Sequence, residues 1–189
     1  MTTLYLVRHG ETVDNVNQIM QGQTQGELNE NGVRQAQEVS EEWRDRQLDA
    51  VIASDLKRSI DTARIIADPH HLEVVTTPLL RERDWGDFTG RFIPDLKGEV
   101  WPDNVETLEN LLSRAGEFIA YVKETFPEKQ VLAVGHGIIN KAIQAVRSFR
   151  KRGKPMCPRR ASTRNTGSIR FWKTSRRSEG SNMPTATSA

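Results

Sequence analysis

Two histidines in this chain stand in the same local frame: His9 in LYLVRHG (residues 4–10) and His136 in VLAVGHG (residues 131–137). Each follows an apolar run and precedes a glycine. An imidazole at the tip of a buried strand is held on a rigid support. The glycine lets the chain turn away and lets a ligand come close to the backbone. Arg8 adjoins the first histidine, and Arg58 lies in SDLKRS (residues 54–59), just past a third apolar run. Two guanidinium groups and two imidazoles converging on one point would make a pocket for a tetrahedral dianion. The planar guanidinium fork suits phosphate because it gives paired, charge-assisted hydrogen bonds. Taken singly, a histidine is commonly structural and an arginine in a helix's first turns commonly a solvated charge. The repeated strand–His–Gly frame is what points to chemistry.

The elements that must position these groups read as alternating strands and helices. Thr3–Val7 is a short apolar strand, followed by the polar, glycine-punctuated stretch from Asn17 to Gly32, a loop of the length that is usually functional. A helix starts near Asn29, a suitable N-cap, with Val33, Ala36, Val39 and Trp43 at helical spacing. Asp49–Ser54 is a second buried strand. It leads into a helix with Leu56, Ile60, Ala63 and Ala67 on one face, for which Ser54 or Asp55 is the expected cap. Glu73–Pro78 is a third strand, and a loop-rich stretch follows it. Val105, Leu108, Leu112, Ala115, Ile119, Val122 and Phe126 predict a long helix that Pro127 ends. Gln130–Val134 is a fourth strand, followed by a helix from about Ile138 to Val146, and residues 168–172 hold one last strand. This alternation predicts an α/β fold: a mostly parallel sheet between two helical layers. In such a sheet, ligands bind beyond the carboxyl ends of the strands, where all three basic junctions fall.

The chain has 189 residues and a formal net charge of +2, unevenly divided. Residues 1–146 carry 15 Lys/Arg against 24 Asp/Glu, a net of −9, whereas residues 147–189 carry 12 Lys/Arg against one acid, a net of +11. We therefore expect a catalytic domain over 1–146 and a basic tail over 147–189 whose end is disordered. The clusters Arg150-Lys151-Arg152, Arg159-Arg160 and Arg176-Arg177 raise the alternative of a polyanion-binding protein, although a solvated or disordered extension is the favoured account of them, and no nucleic-acid partner is expected for the acidic body. No segment has the length of a membrane span and nothing at the start resembles a signal peptide, so a cytoplasmic protein is expected. Cys157 is the sole cysteine, which excludes a cysteine zinc cluster, and His70-His71 lacks partners for a metal. No metal and no cofactor are expected. The sequence leaves the oligomeric state open.

The motifs together resemble the histidine phosphatase superfamily, the phosphoglycerate-mutase-like proteins. LYLVRHGETVDN is similar to that family's signature, SDLKRSIDTA to its second motif, LLRERDWGDFTG to its acid-donor segment and VLAVGHG to its second-histidine segment. They run in the family's order from about Thr3 to Val146, and NTGSIRFW resembles its last strand. The resemblance implies the three-layer phosphoglycerate-mutase-like fold. It implies that His9 attacks phosphorus and becomes phosphohistidine, and that Arg8, Arg58 and His136 bind the phosphoryl oxygens. Asn15 matches an asparagine that also binds the phosphoryl group, and Glu82 matches the proton donor. Gln21 and Gly22 are further candidates for contact with substrate, and Asp84 and Asp87 are the alternative acids. Read without the resemblance, Glu82 is a surface carboxylate paired with Arg81 or Arg83. Members of the family divide into mutases and phosphatases. Only 53 residues lie between Glu82 and His136, where the mutases carry a longer insertion that closes a lid. The resemblance thus implies a compact, histidine acid-type phosphatase acting on small phosphorylated metabolites, with a mutase as the alternative.

Overall fold

The computed structural model describes residues 1–151 and 168–171. The expected disordered end, the clusters Arg159-Arg160 and Arg176-Arg177, and Arg152 and Trp172 lie outside the described residues. Five parallel strands form one sheet: β1 (Thr3–Arg8), β2 (Ala50–Ser54), β3 (Val74–Thr77), β4 (Gln130–Gly135) and β5 (Ser168–Phe171). Their order across the sheet is β3-β2-β4-β1-β5. Among the described residues, five α-helices accompany them: α1 (Val13–Val16), α2 (Glu30–Trp43), α3 (Lys57–Ala67), α4 (Leu108–Thr125) and α5 (Gly137–Lys151).

Strands β1, β2 and β4 are buried on both faces, as a parallel sheet between helical layers requires. Successive strand residues point to opposite faces, and the core divides accordingly. Leu4, Leu6, Ala50, Ile52, Val131 and Ala133 pack with Leu111, Phe118 and Ile119 of α4 and with Ile139 and Ile143 of α5. Val7, Val51, Ala53, Leu132 and Val134 pack with Val39 and Trp43 of α2 and with Ala63 and Ile66 of α3. Tyr5 meets the buried Trp43 edge-on, 4.5 Å between centroids. The α/β architecture with helices on both faces is therefore observed. Among the described residues, no helix is long and apolar enough to cross a membrane.

Three element ends differ from the sequence reading. Neither Ser54 nor Asp55 caps α3: its N-cap position is Leu56, which makes no side-chain cap bond. Ser54 Oγ accepts the Leu56 N–H at 3.2 Å and also bonds His136, while Asp55 pairs with Arg81. The long helix begins at Leu108 rather than Val105, because the Thr107 side chain accepts the Asn110 N–H and so sets the N-terminus. Val105 is buried ahead of it, outside the helix. α5 runs on to Lys151, beyond the expected Val146. Asn29 caps α2 as expected, accepting the Gly32 N–H at 2.7 Å.

Phe118 is fully buried in the core that α4 and α5 close over the sheet. Phe118→Ala should cost about 3–5 kcal/mol, the usual range for removing a core aromatic. A lower urea midpoint with an unchanged slope is the expected readout.

Candidate active site

The β1 and β4 ends bring the two histidines together because these strands are neighbours in register, Arg8 opposite Gly135. The His9 and His136 rings lie 4.9 Å apart between centroids, tilted by 56°. Both are buried; His9 is 5% exposed and His136 0%. Arg8 ends its strand exposed, and Arg58, in the first turn of α3, is buried at 1% exposure.

The turn after β1 is bolted to three elements. His9 N–H donates to the Gly135 carbonyl at 3.0 Å, and Gly10 N–H to Thr62 Oγ1 at 3.0 Å. Glu11 N–H donates to Gln35 Oε1 at 2.9 Å. Thr12 then caps the short α1, where Asn15 returns its Oδ1 to the Thr12 N–H. Helix α2 approaches so closely that a Cβ on Gly10 would lie 2.3 Å from the Gly32 carbonyl oxygen.

Each ring nitrogen has a definable state. His9 Nδ1 is 2.7 Å from the Gly10 carbonyl. A carbonyl only accepts, so Nδ1 carries the proton and Nε2 of the neutral ring carries the lone pair. Burial, then the charges of Arg58 and Arg8, push the His9 pKa from 6.5 down to about 3. Burial likewise holds His136 well below its ordinary value, aided by His9 and the arginines. Ser54 Oγ lies 2.8 Å from His136 Nε2. Ser54 Oγ also receives the Leu56 N–H. With the Ser54 hydroxyl donating to Nε2, the ring proton of His136 sits on Nδ1, a nitrogen buried without a hydrogen-bond partner.

Arg58 faces carbonyls rather than carboxylates. Its Nη1 donates to the carbonyls of Thr24 and Gln25 and its Nη2 to that of Gly22, at 2.8 Å. Its Nε is buried with no partner, and desolvation lowers its pKa to about 10. Of the proposed contacts, Gly22 therefore adjoins the cluster through Arg58. Gln21 spends its amide nitrogen on Thr12 Oγ1 at 2.7 Å, and Gly22 supplies the carbonyl just described.

Glu82 does not pair with Arg81 or Arg83. Arg81 forms a two-pronged pair with Asp55 at 2.7 and 2.5 Å, and Arg83 Nε donates to the Glu106 carbonyl. The Glu82 carboxylate instead accepts the backbone N–H groups of Ile138, Ile139 and Arg83 at 2.9–3.2 Å. It thus sits on the N-terminus of α5, one turn from His136. Its backbone is fastened by Arg114 of α4, which donates to the carbonyls of Leu79, Arg81 and Glu82 and pairs with Glu106. The alternative acids are engaged elsewhere: Asp84 accepts the Gly86 N–H and Asp87 the Asn104 amide. Arg83 lies 5.0 Å over both Trp85 and Trp101, forming an aromatic wall. Trp85 borders Gly22, where a Cβ would lie 3.5 Å from Trp85 Cδ1.

The structure thus gathers His9, His136, Arg58 and Glu82 at the carboxyl ends of β1, β2 and β4, with Arg8 at the exposed rim. Sequence reading missed Ser54, Thr62, Gln35 and Arg114. Each acts by a hydrogen bond to a residue far away in the chain, a role that no local pattern marks. Among the described residues no three His, Cys, Asp or Glu side chains gather where they could hold a metal ion.

Residues 4–147 match the family described as the histidine phosphatase superfamily (branch 1). The chain is 42% identical over 141 residues to a Bacillus subtilis (strain 168) protein named uncharacterized phosphatase PhoE, covering 72% of each chain. It is 38% identical over 152 residues to a probable phosphoglycerate mutase, GpmB, of Proteus mirabilis (strain HI4320), covering 73% of this chain and 71% of the relative. Among solved structures it resembles a mycobacterial glucosyl-3-phosphoglycerate phosphatase in complex with VO3. That likeness has a TM-score of 0.69 and 30% identity, covering 75% of this chain and 79% of the other.

The buried imidazoles tie stability to pH. An unfolded imidazole titrates near 6.5, whereas folded His9 titrates at about 3 and His136 well below 6.5. Below the unfolded value, the unfolded chain takes up protons that the folded chain refuses. The stabilisation is complete above about pH 6.5 and is lost progressively as pH falls towards the folded values. The urea midpoint should drop between about pH 7 and about pH 5, and His9→Asn should flatten that drop. An unaltered pH slope in His9→Asn would contradict the buried-neutral state.

Proposed function

The chain belongs to branch 1 of the histidine phosphatase superfamily, and from that premise we propose that it hydrolyses small phosphomonoesters through a phosphohistidine on His9, with Glu82 as proton donor. The observation that carries this reading is the state of His9: buried, neutral, its Nδ1–H held by the Gly10 carbonyl and its Nε2 lone pair unprotonated. A nucleophilic imidazole needs that state at neutral pH.

The reaction divides into two transfers. Nε2 of His9 attacks phosphorus in line while the bond to the leaving oxygen breaks, and Glu82 gives that oxygen its proton. Water then attacks the phosphoryl group on His9, giving a proton back to Glu82 and releasing inorganic phosphate. The charge on the equatorial oxygens is met by Arg8, by Arg58 through its unpartnered Nε, and by His136 through Nδ1–H. Asn15, whose Oδ1 is tied to Thr12, offers its amide nitrogen. Such groups are fixed before the reaction begins, so they stabilise the transition state with little reorganisation. Gly22 contributes by holding Arg58 and Gln21 by tying the loop to Thr12. For Glu82 to act as an acid, one of its oxygens must exchange a backbone N–H for a proton, and its seat beside His136 keeps it close to the departing oxygen.

The phosphatase-named relative and the solved phosphatase favour water as the acceptor. The short span between Glu82 and His136 favours it too: it holds 3-10 turns at Gly86–Phe88 and Ile93–Leu96 before α4, and Val100 is left 91% exposed. The mutase reading draws on the GpmB relative. Glucosyl phosphoglycerates, sugar phosphates and phosphoglycerates all belong to the proposed substrate class. The domain proposed to carry this activity spans residues 1–146, and we assign no catalytic part to the basic tail.

Brief exposure to labelled substrate followed by an alkaline quench should trap acid-labile label on the protein. His9→Ala should abolish both the label and turnover. A folded His9→Ala protein with near-normal activity would remove the nucleophile assignment, and transfer of label to an added phosphoglycerate in preference to water would favour the mutase. Replacing Glu82 should bear on the leaving group. Glu82→Gln should slow hydrolysis of an alkyl phosphate by roughly 10²-fold or more, but that of p-nitrophenyl phosphate far less, since its leaving group needs little protonation. Equal losses on both substrates would make Glu82 structural.

A further inference from the structure

We propose that Gln35 is a positioning residue for His9, acting through the peptide that joins Gly10 to Glu11. The inference rests on His9 being the nucleophile. That peptide is bonded at both ends. Its carbonyl accepts the His9 Nδ1–H at 2.7 Å, and its N–H donates to Gln35 Oε1 at 2.9 Å. The two groups of a trans peptide point in opposite directions. Gln35, the peptide and the imidazole therefore form one chain of hydrogen bonds. Bonds in such a chain polarise one another: an acceptor on the N–H makes the carbonyl oxygen a better acceptor.

The surroundings leave this peptide no other orientation. Gly32, three residues before Gln35 and on the same side of α2, touches the turn backbone to backbone; a Cβ there would lie 2.0 Å from the Glu11 carbonyl oxygen. The Glu11 carbonyl also accepts the Asn29 N–H at 3.1 Å. The Glu11 carboxylate accepts the side-chain amides of Asn29 and Asn31 at 2.8 and 3.0 Å. The Glu11 N–H, carbonyl and Oε1 are thus all held by the start of α2, and Gln35 takes the N–H, which faces away from His9.

The chemical consequence falls on the first transfer. As the Nε2–phosphorus bond forms and the phosphorus–oxygen bond breaks, positive charge grows on the imidazole ring. The Nδ1 proton stays in place throughout, and the leaving oxygen takes its proton from Glu82. The Gly10 carbonyl meets the growing charge from the far side of the ring, and Gln35 supports that carbonyl. Gln35 itself touches neither substrate nor phosphoryl group.

The test uses the full chain with ¹⁵N-labelled histidine rings and two variants. Gln35→Met removes the acceptor at nearly constant length, and Gln35→Glu keeps an acceptor. In the unliganded wild type, His9 should show a protonated Nδ1 and a lone pair on Nε2. Gln35→Met should gain the opposite tautomer and slow phosphoenzyme formation by about three- to tenfold, the scale of one net hydrogen bond, with KM little changed. Gln35→Glu should keep the wild-type tautomer and a rate within about twofold, well inside that scale. Wild-type tautomer and rate in Gln35→Met would overturn the proposal, as would equal rate losses in both variants with no change of tautomer. Should Gln35→Met not fold, Gln35→Asn, one methylene too short to reach, takes its place with the same expectations. The tautomer measurement needs no substrate. A shifted tautomer in a protein that never labels His9 would sink the nucleophile reading alone. An unshifted one sinks the positioning role whatever the label does.

Discussion

Arg58 is buried with no carboxylate bonded to it, and much of the site follows from that. A guanidinium taken out of water must be satisfied by something. Here three carbonyls of the Gly22–Gln25 loop do so, and the loop is folded back over the arginine to present them. Carbonyls supply dipoles but no neutralising charge. Burial pushes the nearby imidazoles towards their neutral forms, and the charge of Arg58 adds to that effect. The same charge makes the site attractive to a dianion.

The sheet sets where this happens. Because β1 and β4 run parallel as neighbours, their carboxyl ends meet at the same edge, and residues far apart in sequence end side by side. Helices α2 and α3 close one face and α4 and α5 the other. Both layers then contribute supports to the edge: α2 and α3 hold the turn carrying His9, while α4 and the start of α5 hold Glu82. His9 and the Glu82 carboxylate are thus fixed from opposite sides of the sheet.

What could be read from the sequence, and what could not, follows the same division. The His–Gly pairs at strand ends, the strand–helix alternation and the Asn29 cap are local patterns, and each was legible. The two faces of β1 were legible too, since Leu4 and Leu6 alternate with Tyr5 and Val7. Gln35, Thr62, Ser54 and Arg114 were not. Each looks like an ordinary polar residue beside an apolar stripe, and its partner is named only once the layers pack. The same holds for Glu82. Its neighbours Arg81 and Arg83 offered obvious ion pairs, but Asp55 and the indole wall claimed them. The α3 start was misread because the N-cap position falls on Leu56, and Ser54 divides its hydroxyl between the Leu56 N–H and His136.

The loop between Thr12 and Leu28 is a closed hoop. Its base is pinned by the Thr12–Leu28 bridge and by the bond from Val13 N–H to the Glu27 carbonyl. Its far side is stitched to the segment after Phe88 through Met20, Gly90 and Arg91. Since the hoop begins and ends at nearly the same place, its circumference is decoupled from the position of His9. A change of length between these anchors leaves the anchor points coincident. The reach of the hoop towards a bound molecule is thereby free to drift over evolutionary time, while the turn beneath it stays where it is.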